Sequence, residues 1–134
     1  VPVYHTNVMM ALGSSFALLC GAAITDSGRR LAIERRLAST GREVIDLRFE
    51  QLRAFAGNVL ELATAAGPVI ALSTTALRVL DAAQRARLGE HGRLVTANIG
   101  TIERYGGGGV RCMLAEVFLP FAAANPPPRV QPSG

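Results

Sequence analysis

A lone cysteine stands behind four glycines in RYGGGGVRCMLAEVFLP (104–120), and an apolar run follows at once. Four consecutive glycines cost backbone entropy in a helix or strand, so they mark a loop where the chain bends sharply or approaches another group. Such a loop leaves the Cys112 thiol unshielded on one side and offers backbone N–H groups to a developing negative charge, which suits a nucleophile. The competing reading is packing, because cysteine is among the most buried residue types and CMLAEVFL would make a core strand. A cysteine nucleophile is most naturally served by a histidine acid or base. His5 opens the stretch HTNVMMALG, where strand alternation sets His5 and Asn7 on one face, opposite Tyr4 and Thr6. A partly exposed surface histidine is the plainer alternative. His91, in GEHGR, falls at a helix end where it can meet the last carbonyls and the dipole. Glu61, in FAGNVLEL, is either a carboxylate for chemistry or a charge on a solvent face, and Asn58, after Gly57, suits a turn. Cys20, in FALLC, needs no role beyond packing.

The elements that must position these residues repeat along the chain. Apolar periodicity predicts strands near 8–12 and 16–20, a helix over 27–39 with an approximate stripe of Leu31, Ile33, Leu37 and Ala38, and a strand over 42–47. The same order follows again. Strands fall at 58–63 and 68–73, and a helix capped by Ser73 or Thr74 carries Leu77, Leu80, Ala83 and Leu88 inward. That helix ends at Gly92, ahead of a strand over 93–99. Asn7 and Asn58, Val8 and Val59, Gly41 and Gly92, and Arg42 and Arg93 each stand 51 residues apart, and so do Val59 and Val110. This register predicts ββαβ repeats near 7–56 and 58–107, then a third first strand over 110–118, with Met10, Glu61 and Cys112 equivalent. A unit this small cannot bury its own sheet and must stack or close with copies of itself. Residues 121–134 have a Pro-rich, unpatterned composition and are expected to be disordered.

Composition narrows the partners. The net charge of +4 comes from 14 basic residues, all arginine and scattered, with 5% aromatics and no Trp, so nucleic acid is not expected. The chain has no lysine, which removes any phosphate-loop motif. Two cysteines without a CxxC or Cys/His cluster predict free thiols in a reducing cytoplasm, and no metal or cofactor. The apolar stretch 8–24 is broken in its middle by Gly13, Ser14 and Ser15, so two strands fit better than a membrane span.

Together HTNVMMALG, FAGNVLEL, TIERYGGGGVRCMLAE and the ββαβ period resemble the guanidino-group modifying, or pentein, superfamily. Within it they are most similar to the arginine deiminase-related, amidinotransferase-like and citrulline-utilisation hydrolase branch. The resemblance implies an α/β fold, a propeller of five ββαβ units with the active site in the central channel. It implies Cys112 as nucleophile and His5 as general acid/base toward a guanidino or ureido compound, through a covalent thiouronium-type intermediate. It implies Asn7, Gly109 and Asn58 as substrate contacts. Many relatives carry Asp where Asn7 stands; a neutral amide grips a guanidinium less and suits a neutral ureido group better. The family's other carboxylates normally precede the histidine, and here four residues do. The chain is therefore expected to be the C-terminal half of such a domain (1–120), inactive alone and partnered by the missing N-terminal half. Amidino transfer, a non-catalytic pentein-like binding module and a homo-oligomer stay open at this point.

Overall fold

The computed structural model describes residues 3–117. The Pro-rich segment 121–134 and the end of the stretch 110–118 lie outside the described residues. Two three-stranded sheets carry the fold, each with the same connectivity. In the first, β1 (Met10–Leu12) runs antiparallel to β2 (Phe16–Leu19), which is parallel to β3 (Glu43–Asp46). In the second, β4 (Leu60–Thr64) runs antiparallel to β5 (Gly67–Ser73), which is parallel to β6 (Arg93–Ala97). Each parallel pair needs a helical crossover. The first is α2 (Ser27–Ser39), capped by Asp26, which accepts from the Arg29 amide. The short helices α1 (Thr6–Met9) and α3 (Phe49–Arg53) lead into β1 and follow β3.

The crossover of the second unit is two helices, not the single one that the periodicity predicts. Ser73 caps α4 (Thr74–Val79), the chain extends at Leu80, and Asp81 caps α5 (Ala82–His91) in a reciprocal box with Gln84. The break rotates the inward face. Leu80 and Leu88 are buried as expected, but Gln84 takes the inward place expected of Ala83, which is exposed. Gln84 and the buried Gln51 of α3 satisfy one another at 2.6 Å, and Gln84 Nε2 also donates to the Asp46 carbonyl.

In α2 the expected stripe largely faces outward. Leu37 is buried, whereas Leu31 and Ile33 are 46% and 37% exposed and Ala38 is exposed too. Two further differences lie near the candidate site. The first strand does not begin at 8, because His5 turns the chain into α1 by accepting the Asn7 amide at its Nδ1. Residues 110–113, expected as a strand, form a 3-10 turn. Before it, α6 (Gly100–Gly106) ends with Gly107 in the left-handed region at φ 68°, a conformation that glycine adopts without strain.

One core joins the two units. Phe16, Leu18, Ile45 and Leu47 of the first pack in a single cluster with Val59, Ile70, Leu72, Leu80 and Leu88 of the second. Polar contacts tie the same seam. Arg87 of α5 donates to Glu43 and to the Val44 carbonyl of β3, and His91 bridges Glu43 Oε2 at 2.7 Å and Ser15 Oγ at 2.8 Å. His91 thus ends its helix as expected, with side chains of the other unit as its partners. Glu61 of β4 holds the Gly13–Ser15 hairpin, accepting from the Ser14 amide and hydroxyl at 3.0 and 2.7 Å.

The hydrogen bonds from Arg87 and then His91 hold the Glu43 carboxyl below its ordinary value of 4.5. A carboxyl depressed in the folded state contributes stability that is complete above the unfolded value and lost as pH falls through the folded one. Urea unfolding of wild type and Glu43→Gln between about pH 5 and pH 3 tests this. The variant should lose less stability on acidification than wild type, and equal losses would show that Glu43 is not coupled across the seam.

Candidate active site

The glycine run, the Asn7 segment and the start of β4 converge on the sulfur of Cys112. Asn58, 1% exposed, donates through Nδ2 to the Asn7 carbonyl at 2.9 Å and to Cys112 Sγ at 3.2 Å. Asn7 Nδ2 faces the same sulfur at 3.8 Å. The residues that the 51-residue register pairs therefore meet in space, and both present amide N–H donors to Sγ. Donors aimed at a sulfur favour its acceptor role, which an anionic nucleophile fills best.

The glycines allow this approach. A Cβ on Gly108 would stand 2.9 Å from Cys112 Cβ and 3.0 Å from Sγ, and one on Gly109 would stand 2.7 Å from Asn58 Oδ1. The run thus serves close approach around the cysteine. Cys112 itself is exposed, held in its 3-10 turn by a bond from its amide to the Gly109 carbonyl at 3.1 Å. The core-strand reading of CMLAEVFL does not describe this cysteine; Val110 supplies the buried anchor of the turn instead. Cys20 is buried, as its apolar run suggests, and burial is the main cause pushing its thiol up.

His5 is exposed at the head of α1, two residues from Asn7. The expected shared strand face is replaced by a helical turn, which still carries both residues to the same end of the fold. Among the described residues no hydrogen bond joins His5 to Cys112. Its Nδ1 accepts from the Asn7 amide at 3.3 Å, which leaves Nε2 for other partners. Tyr4, which strand alternation set opposite His5 with no role of its own, donates its hydroxyl to the Gly107 carbonyl and so ties the His5 segment to the glycine run.

Two acceptors at this site have nothing to accept from. Asn7 Oδ1 and Asn58 Oδ1 are buried without a partner among the described residues. A buried polar atom left unpaired costs about 1–3 kcal/mol, so such atoms ask for a ligand or a functional reason. Asn58 was legible as a turn residue, and the turn is real: its amide donates to Phe55, which sits at φ 60°. Glu103 Oε1 in α6 is likewise buried without a partner among the described residues. Among the described residues no group of three His, Cys, Asp or Glu side chains could hold a metal ion. No helix there is long and apolar enough to cross a membrane.

Comparison with known proteins adds the family. A family model described as N,N dimethylarginine dimethylhydrolase, eukaryotic, matches residues 1–119. No curated protein matches the chain significantly. Among solved structures, the apo form of ArgZ, an arginine dihydrolase from the ornithine-ammonia cycle in cyanobacteria, is similar with a TM-score of 0.61 and 17% identity. The match covers 82% of this chain and 16% of that one, so the chain spans a small part of that protein's length. At this identity the likeness is one of fold, a mixed α/β architecture with two three-stranded sheets. By the match across nearly its whole length, the chain belongs to the N,N dimethylarginine dimethylhydrolase family of the pentein superfamily.

Proposed function

We propose that this chain carries the nucleophile-bearing part of a hydrolase that cleaves a C–N bond of a guanidino compound, with Cys112 as nucleophile. The observation that carries the reading is the convergence of the Asn7 and Asn58 amide nitrogens on Cys112 Sγ, with both amide oxygens buried and without a partner among the described residues. A guanidino group is planar and rich in N–H donors. The amide oxygens of Asn7 and Asn58, without partners among the described residues, are acceptors for it.

In the proposed reaction the thiolate bonds to the guanidino carbon and a C–N bond breaks. Its electron pair stays on the departing amine, which takes a proton from His5. Water then gives a proton to His5 and adds to the same carbon. The C–S bond breaks, and the product leaves with a ureido oxygen. His5 suits this cycle as an exposed imidazole two residues from Asn7, whose side-chain amide faces the sulfur. The family's description names a dimethylated arginine, and we place the substrate in that class, with dimethylamine as the departing group. Asn7, Asn58 and Gly109 are the substrate contacts of this reading.

We further propose that the chain supplies two of five ββαβ units, and that a preceding portion of the same protein completes the ring and brings the carboxylates that steady a cationic substrate. The outward Leu31 and Ile33 of α2 and the largely exposed β6, with Val95 37% exposed, support this. The seam between the units sets α5 of the second against β3 of the first. Repeating that step leaves α2 at one end and β6 at the other, each in need of a neighbour. Two free cysteines suit a reducing compartment, and we place the enzyme in the cytoplasm.

Turnover by the full-length protein, followed by release of dimethylamine from dimethylarginine, tests the reading. Cys112→Ser should abolish it, and a variant that keeps wild-type turnover refutes the nucleophile. Independently, Gly109→Ala should push the Asn58 amide from the sulfur and slow alkylation of Cys112 by iodoacetamide about tenfold. An unchanged rate would mean that the Asn58 contact does not tune the thiol.

A further inference from the structure

Among the described residues, one that is not glycine has a positive φ: Phe55, at 60°. For a bulky side chain that is an outlier, whereas glycine takes the same conformation freely. The position is a helix end. The Phe55 amide donates to the Leu52 carbonyl and the Ala56 amide to the Gln51 carbonyl, both at 3.0 Å. This paired closure usually has glycine in its left-handed place. The last turn of α6 ends on such a glycine, Gly107 at φ 68°. Phenylalanine thus stands in α3 where glycine would strain the backbone less. Strain of this kind persists where the surroundings over-determine it, and it gathers at functional sites.

The contacts of Phe55 say what the side chain is for. Its carbonyl accepts the Asn58 amide at 2.9 Å, closing the turn that carries Asn58 to the sulfur. Its Cβ faces the glycine run: a Cβ on Gly109 would stand 3.1 Å from it and 2.7 Å from Asn58 Oδ1. Half-buried, Phe55 also lines an apolar cavity of about 180 Å³ with Tyr4, Val8, Phe49 and Leu52. Phe55 therefore touches both that cavity and the nucleophile loop. Without its side chain, the 55–58 turn and Gly109 gain room to shift, and the 3.2 Å contact from Asn58 Nδ2 to Cys112 Sγ depends on both.

We propose that Phe55 is a positioning residue for the nucleophile, acting through Asn58. Its side chain wedges the turn against Gly109, so that the Asn58 amide stays aimed at the sulfur. This rests on the reading of Cys112 as the nucleophile, and it gives the strained backbone of Phe55 a purpose. Glycine would relax the turn and lose the wedge.

The test reads the free thiol of the full-length protein and needs no turnover. The rate of alkylation of Cys112 by iodoacetamide is followed by peptide mass, with the buried Cys20 unlabelled as the sign of an intact fold. Phe55→Gly, which keeps the left-handed turn without strain, should slow the reaction about three- to tenfold. Phe55→Leu, another large apolar side chain, should recover most of the wild-type rate. An unchanged rate in Phe55→Gly, or a rate in Phe55→Leu as low as in Phe55→Gly, overturns the proposal. Labelling of Cys20 in Phe55→Gly overturns it as well, since the side chain would then hold the fold and not the amide. A double-mutant cycle adds a readout that a merely structural role would not move. In an Asn58→Ala background, Phe55→Gly should slow the thiol no further, and effects that multiply contradict action through Asn58. The comparison of Phe55→Gly with Phe55→Leu decides whether or not Asn58→Ala folds. Failure here leaves the nucleophile itself to the loss of turnover in Cys112→Ser.

Discussion

The carboxamide of Asn58 is the contact on which the arrangement around Cys112 depends. From one nitrogen it reaches the carbonyl of Asn7 in the first unit and the sulfur of Cys112 in the loop that follows the second. Three segments distant in sequence are thereby fixed at one point. The approach is so close that side chains are excluded around it. A Cβ at Gly57 would fall 2.6 Å from the Val8 carbonyl, and Gly108 and Gly109 are similarly pressed against Cys112 and Asn58. The buried amide oxygens left over mark the same point as unfinished, in the sense that a bound group would complete its hydrogen bonding.

Beneath this cluster lies a shared hydrophobic core that holds the two sheets as one body. Its members come alternately from β2, β3 and β5 and from the helices α4 and α5, so neither unit buries its sheet alone. The polar seam of Arg87, His91, Glu43 and Ser15 fixes the relation of the second helix layer to the first sheet. The site is supported from strand ends and loops over this core, where a residue can be exposed to ligand while its neighbours stay rigid.

Much of the architecture was legible in the sequence because strand alternation and the 51-residue register are local, additive signals. The two hairpins, the two parallel crossovers and the equivalence of Asn7 with Asn58 follow from them. What escaped is set by contacts between units. The turn at 110–113 is apolar enough for a strand, but Gly108 and Gly109 must dock against Cys112 and Asn58, and this diverts the chain into a 3-10 turn. The division of α4 from α5 was present as an Asp81–Gln84 capping pair, masked by the continuous apolar spacing around it. In α2 the pattern of Leu31 and Ile33 was apolar without being inward, and burial depends on a neighbour that periodicity does not name.

The account centres on a covalent bond between Cys112 and the guanidino carbon. It is tested most directly by denaturing the full-length protein in mid-turnover with dimethylarginine and weighing its peptides. The account predicts a substrate-derived adduct on the Cys112 peptide that has lost dimethylamine and disappears when substrate is exhausted. Turnover with Cys112 unmodified, or with the adduct on another residue, would contradict it.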